Sequence, residues 1–222
     1  MVSVQKNRTI EVSLPYVELS FGISGQTLPA DHGYGLYSAI AHLCPELHQQ
    51  DWLSVQTVSG KPDRQGKINL TRQSRLRIRL PDDRSKVSLV LPLAGKRLTI
   101  GKHEIQLHIP QIRTLQPASI LRSRIVTIKG FQDPEPFLEA AKRQLDAFEI
   151  RGKVSIPSNS EGEPDRKTLK IQQYTVVGFG LEVTDLTDED SIKLQILGCG
   201  GKRRMGAGVF VSFPNNRSFT HE

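Results

Sequence analysis

The chain has 222 residues and a formal net charge of +7, with 37% hydrophobic and 24% charged residues. This length allows one large domain or two small ones with a sizeable core, and the composition is that of a soluble globular protein. We find no apolar run of the roughly 20 residues that a membrane helix needs, and no secretory signal pattern in the first residues. The two cysteines, Cys44 and Cys199, are far apart. We therefore expect a reducing, cytoplasmic setting, no membrane association and no zinc site built from cysteines.

Positive charge is concentrated in the middle of the chain. Residues 61–130 hold sixteen lysines and arginines against four acidic residues, a net charge of +12, whereas the rest of the chain carries −5. A basic segment between more acidic ends is typical of a surface that binds a polyanion such as nucleic acid. The other interpretation is that these cations only keep the protein in solution.

The apolar pattern predicts an N-terminal half that opens strand–helix–strand. Alternation predicts a strand over 9–22, followed by a helix that Asp31 caps and Pro45 ends. Further strands are predicted over 52–59, 75–80, 96–100 and 103–109, with a loop at 60–66 and an ambiguous segment at 85–91. We place a domain boundary at Pro110–Pro117.

The second half repeats this order of elements. A strand is predicted over Ile120–Lys129, and Asp133 with Pro134 begins a helix that Gly152 ends. Strands are then predicted over 153–157, 167–183, 192–197 and 209–213, and 188–191 is too short for a helix. The repeated pattern predicts an α+β protein of two tandem ferredoxin-like (RRM-like) βαββαβ domains, residues 1–112 and 118–222.

The segment GCGGKRRMGAG, residues 198–208, is the most informative motif of the second half. It is not a Walker loop, because Arg203 stands where the Mg²⁺-binding Ser or Thr would be and an apolar strand follows. Its glycines let the backbone approach a ligand closely, and Lys202, Arg203 and Arg204 add charge that pairs with phosphate. We predict a phosphate-binding loop, the alternative being an ordinary glycine-rich hairpin with solvated cations.

His32 is the candidate acid–base group, because it stands at the start of the first predicted helix. A helix N-terminus offers unpaired N–H groups to an anion, so a histidine there could touch a bound phosphate. Spacing alone leaves this role open against that of a partly buried residue stacked above Leu36. No carboxylate pair, Ser/His/Asp arrangement or metal-ligand cluster competes with it in the sequence.

These motifs together carry a resemblance to known proteins. The glycine-rich loop resembles the signature of the repeat-associated RNA-binding (RAMP) superfamily of CRISPR proteins. The segments LPADHGYGLY, residues 28–37, and LCPELH, residues 43–48, resemble the sixth CRISPR-associated family, in its myxobacterial-type type I branch. Members of that family cut precursor CRISPR RNA within each repeat.

The resemblance implies an endoribonuclease with tandem ferredoxin-like domains that needs no metal or cofactor. The ribose 2′-OH would attack its own phosphate and leave a 2′,3′-cyclic phosphate and a 5′-OH. His32 matches the family's catalytic position, Tyr34 is the chosen helper, and Tyr37 and His48 are next in line. The residues expected to hold the RNA are Gly200, Gly201, Lys202, Arg203, Arg204, Arg122, Arg124 and Lys129.

The resemblance also implies the partners. A CRISPR repeat RNA stem-loop suits a basic surface, since A-form helices are recognised through shape, phosphates and 2′-OH groups. Subunits of a type I effector complex are further expected partners. The alternative from another class is a non-catalytic RAMP-type RNA-binding subunit of such a complex, and a third is a basic protein that binds nucleic acid without preference for repeats.

Overall fold

The computed structural model describes residues 15–213, so residues 9–14 of the first predicted strand lie outside it. The first half consists of β1 (Tyr16–Ser24), β2 (Thr27–Pro29), α1 (Gly33–Leu43), β3 (Ser54–Gln56), β4 (Lys61–Pro62), β5 (Lys67–Asn69), β6 (Arg75–Pro81), α2 (Arg84–Val90), β7 (Arg97–Ile100) and β8 (His103–Thr114). The second half consists of β9 (Leu121–Val126), α3 (Pro134–Ala147), β10 (Lys153–Ser155), β11 (Arg166–Ile171), β12 (Tyr174–Thr184), α4 (Asp188–Leu197) and β13 (Val211–Ser212).

The two halves share one topology. The first sheet has the strand order β3-β6-β1-β8-β7, and the second has the order β10-β12-β9-β13, with β11 paired to β12. In each sheet the first and third strands of the βαββαβ unit lie side by side at the centre, and the two crossovers are the helices. The prediction of an α+β protein with tandem ferredoxin-like units is thus confirmed. The first sheet ends at Thr114 and the second begins at Leu121.

Each half has its own hydrophobic core between its sheet and its helices. In the first half, Phe21 and Ile78 of the central strands pack with Leu36 of α1, and all three are buried. In the second half, Phe137 of α3 meets Phe179 of β12 with ring centroids 4.9 Å apart. The alternating strand residues that face these cores explain why the period-two pattern predicted most of the strands.

Arg79 of β6 joins the two halves. Its side chain is buried, donates to Glu18 Oε2 at 3.0 Å and to the Gln195 carbonyl at 3.3 Å, and also bonds the Phe210 carbonyl. The arginine-lined face of β6 is therefore covered, at Arg79, by the second half. The Glu18 bond lies within the first half, whereas the bonds to the Gln195 and Phe210 carbonyls need both halves in place, so this buried guanidinium helps to fix how the domains dock.

Three predicted details of the helices are wrong. Asp31 does not cap α1, because His32 takes the cap position and an Asp31 carboxylate oxygen accepts from the Lys170 N–H at 2.6 Å. The helix α3 ends at Ala147, before Gly152. The predicted strand over 192–197 is part of α4, which the Thr187 side chain caps and which three acidic residues in the first turn stabilise.

Candidate active site and nucleic-acid interface

The start of α1 and the glycine-rich segment, which come from opposite ends of the chain, lie against each other. A Cβ on Gly33 would overlap the Met205 carbonyl oxygen, and a Cβ on Gly206 would overlap the Thr57 side chain. Glycine is therefore needed at both positions for the backbones to approach this closely. The short 3₁₀ turn Arg203–Met205 is held at the junction between the halves by these contacts.

The glycine N–H groups of the glycine-rich segment donate hydrogen bonds within the protein. The Gly200 N–H donates to Gln144 Oε1 at 2.8 Å, and the Gly201 N–H donates to the Thr127 carbonyl at 2.9 Å. The Gly208 N–H donates to the Ile125 carbonyl at 2.7 Å. In this conformation a phosphate would not find these three glycine amides free, and a role of Gly200 and Gly201 in RNA binding stays a prediction.

The three adjacent cations of the loop have different surroundings. Lys202 is exposed. Arg203 donates to the Ile196 carbonyl at 2.9 Å and to the Asp51 carbonyl at 2.6 Å, and its burial lowers the pKa of the guanidinium. The Arg204 guanidinium lies 5.6 Å from the Tyr37 ring centroid. Arg203 therefore anchors the loop, whereas Lys202 faces solvent and Arg204 lies over an aromatic ring.

The predicted cations of β9 also differ in their surroundings. Arg122 pairs with Glu182 at 2.7 Å and lies 3.9 Å over the Phe213 ring, so its charge is partly neutralised. Lys129, after the end of the strand, is exposed. Arg124 lies where the β9–β12 pairing shifts register, a β-bulge that re-aims its side chain. Asp31 and Asp165 attract its guanidinium, although burial is the larger effect and lowers its pKa.

The two predicted catalytic residues have hydrogen-bond partners inside the protein. The His32 ring is 2% exposed, its Nε2 accepts from the Val58 N–H at 2.9 Å, and its Nδ1 lies 2.8 Å from the Pro29 carbonyl. Nδ1 must therefore carry the proton of a neutral ring, and burial lowers the pKa of His32. The half-buried Tyr34 accepts a bond from Gln172 Nε2 at 3.0 Å.

A second histidine beside α1 is open to solvent. His48 is exposed, and its ring lies nearly parallel to that of Tyr37, with 6.2 Å between centroids and an interplanar angle of 15°. The Tyr37 hydroxyl accepts from the Gln49 N–H at 2.9 Å, and the same ring lies near the Arg204 guanidinium. The sequence places His48 beyond the end of the first helix and therefore below His32 as a catalytic candidate. The structure shows that the turn Pro45–Leu47 brings His48 back to Tyr37.

Two kinds of feature, a metal-ligand cluster and a helix that could cross a membrane, are absent from residues 15–213. No group of three or more His, Cys, Asp or Glu side chains in this range is placed to hold a metal ion. No helix in the same range is long and apolar enough to cross a membrane.

Comparisons with known proteins place the chain in a family. A family model described as Cas6 Crispr matches residues 17–215. A CRISPR-associated endonuclease Cas6 of Myxococcus xanthus (strain DK1622) is 32% identical over 196 residues, 88% of this chain and 81% of that protein. A solved CRISPR-associated protein Cas6 superposes with a TM-score of 0.59 at 14% identity, covering 90% of this chain and 99% of its own. A Cas6-related protein of Pyrococcus furiosus gives 0.60 at 12% identity, with 89% and 98% covered.

The solved structures, at these identities, support the fold. The family model and the myxobacterial relative each cover most of the chain, and they confirm the resemblance seen in the two motifs. The chain belongs to the Cas6 family of CRISPR-associated endoribonucleases.

Proposed function

We propose that this protein binds a CRISPR repeat stem-loop and cleaves precursor CRISPR RNA within each repeat, releasing mature guide RNA. The ribose 2′-OH attacks the adjacent phosphate without a metal ion and leaves a 2′,3′-cyclic phosphate and a 5′-OH. The observation that carries this proposal is the packing of Gly33 against Met205, which brings the α1 residues and the loop cations to one place. Cleavage of this kind needs a positioned acid and base beside a phosphate-binding surface.

The RNA-binding surface combines cations from three segments of the second half that lie near the start of α1. Lys202 and Arg204 come from the loop, Arg124 from β9, and the exposed Lys170 from β11, whose backbone is tied to Asp31 before α1. Phosphates of an A-form stem suit such a surface, because duplex RNA is recognised through its backbone and shape. The cations of an endonuclease of this family would hold the repeat while its scissile phosphate lies against α1.

We assign proton transfer to His48 rather than to His32. The Nε2 lone pair of His32 is already occupied by the Val58 N–H, so a base role would require that buried bond to break. His48 is exposed, and both its imidazole and the Arg204 guanidinium lie against the buried Tyr37 ring, so a phosphate at this place could meet an imidazole and a guanidinium. His32 with Tyr34 remains the competing prediction from the sequence.

Single-turnover cleavage of a repeat RNA tests the reaction and separates the two histidines. A single 2′-deoxy substitution just upstream of the cut should abolish cleavage and leave binding intact. His48→Ala should slow cleavage on the order of 10²- to 10⁴-fold with RNA still bound, as expected for loss of a positioned acid or base. His42→Ala, at an exposed histidine of α1, is the matched control and should cut normally.

The outcomes that contradict this proposal are equally specific. Cleavage of the deoxy substrate would exclude 2′-OH attack. A normal rate for His48→Ala together with loss of activity in folded His32→Gln would return the catalytic role to His32. Tight, repeat-specific binding with no product from the wild-type protein would instead favour a non-catalytic subunit of an effector complex.

A further inference from the structure

A cavity of about 170 Å³ lies in the crevice between the two halves. Gln56 and Val58 line it from the first half, and Arg124, Val209 and Val211 line it from the second. Val58 is the residue whose N–H bonds the His32 ring. The cavity therefore adjoins the α1 site without sharing its aromatic cluster.

Gln56 supplies an unused hydrogen-bond acceptor in this region. Its Oε1 is buried and has no hydrogen-bond partner among the residues that the structure describes. Pairing with Arg77 in the β3–β6 ladder fixes the backbone of Gln56 at the edge of the first sheet, beside the cavity that Gln56 lines. Buried polar atoms are nearly always satisfied, and one that is not indicates a donor from a water or a ligand.

The other walls of the cavity indicate what kind of ligand fits. Val58, Val209 and Val211 form apolar walls, Thr57 and Ser59 add polar residues, and Arg124, which lies at the bulge in β9, adds a cation. A cavity of about 150 Å³ can admit a benzene-sized ring. A cavity with apolar walls, an amide, two hydroxyl-bearing residues and a guanidinium therefore suits a single six-membered heterocycle attached to a phosphate.

We propose that this cavity holds one unpaired pyrimidine base of the repeat RNA, whose N–H donates to Gln56 Oε1 while Arg124 pairs with the phosphate of the same nucleotide. Both pyrimidines carry a suitable donor, the N4 amine of cytosine and the N3–H of uracil. The inference rests on the proposed RNA-processing function and adds a position at which the protein selects sequence. Unpaired bases are where such selection is possible, because the stem displays mainly its backbone.

The inference is tested by a binding cycle, in which the affinities of the wild-type and variant proteins are measured for intact and altered repeat RNAs. Repeat RNA that carries the blocking 2′-deoxy group is scanned with single abasic substitutions and with all four bases at each unpaired position. At one position the wild-type protein should prefer a pyrimidine, and the abasic RNA should bind about 5- to 100-fold more weakly, as expected when a buried hydrogen bond is removed. Gln56→Leu should weaken binding of intact RNA by a similar factor and remove the sensitivity at that position only.

The controls keep a structural effect apart from recognition. Gln73→Leu, at an exposed glutamine of the first half, should bind all RNAs like the wild type. Gln56→Leu should unfold no more easily than the wild type, because it removes a buried oxygen that has no partner within residues 15–213. Its affinity for intact RNA should therefore fall without any loss of stability.

Two results would overturn the inference while leaving repeat cleavage intact: an unchanged affinity of Gln56→Leu, as for an oxygen that binds only a water, or a loss that is equal at every position. A wild-type protein that binds repeat RNA but does not cut it would refute the proposed cleavage, and the binding cycle would still decide the role of Gln56.

Discussion

Replacing His32 by alanine should destabilise the protein rather than only slow its chemistry. The change removes the acceptor of the Val58 N–H and the donor to the Pro29 carbonyl, and it truncates a ring that is 2% exposed. A buried group left without its partner costs about 1–3 kcal/mol, and a net hydrogen bond about 1 kcal/mol. We therefore expect the free energy of unfolding to fall by about 2–4 kcal/mol, within the range of single core substitutions.

The same ring should make the stability depend on pH. Burial lowers the pKa of His32 from its ordinary value, so the folded protein binds fewer protons than the unfolded chain once the pH approaches that value. Its contribution is complete above the ordinary pKa of about 6.5 and is lost as the pH falls toward the lowered pKa of the folded state. His32→Gln, which keeps an acceptor within reach of Val58, should remove this component and recover part of the lost stability.

Urea unfolding at a series of pH values measures both effects, and cleavage by the folded fraction completes the comparison. A loss in His32→Ala that grows as the pH rises toward about 6.5 and stays constant above it would identify the neutral ring as the stabilising form. A loss below about 0.5 kcal/mol, combined with slow cleavage, would refute this reasoning, because changes of that size are typical of surface positions. His32 would then be the catalyst that the sequence predicted.

Three further predictions concern metal, RNA and the junction between domains. Cleavage should persist in excess EDTA, and activity that is lost in chelator and restored by Mg²⁺ would contradict the mechanism. Alanine at Lys202 and Arg204 should reduce the slope of log K against log salt by about 0.7–0.9 for each phosphate that is no longer neutralised, whereas an unchanged slope would mean that neither side chain binds RNA. Arg79→Met should lower the free energy of unfolding in urea by about 3–5 kcal/mol, because it removes the hydrogen-bond donor of two carbonyls and leaves Glu18 with Arg77 alone at 3.5 Å. Lys142→Met, at an exposed pair, should change it little.

The sequence by itself determined most of the architecture and the family. Alternation in 75–80 and the proline at the start of α3 are local signals, so the strand and the helix could be predicted without knowing their neighbours. The motif around His32 and the glycine-rich segment likewise identified the family from residue types alone. The segment 192–197 was misassigned because its sequence IKLQIL, in which apolar and polar residues alternate, is short enough to fit a strand as well as a helix.

Only the tertiary structure decided which functional groups are free. The His32 lone pair is occupied because the Val58 N–H, 26 residues away, reaches it through the fold. His48, Tyr37 and Arg204 form one cluster because the second half brings its loop onto α1. Periodicity along the chain encodes which face of an element is buried, but hydrogen-bond partners distant in sequence depend on how segments pack within each half and on how the two halves dock.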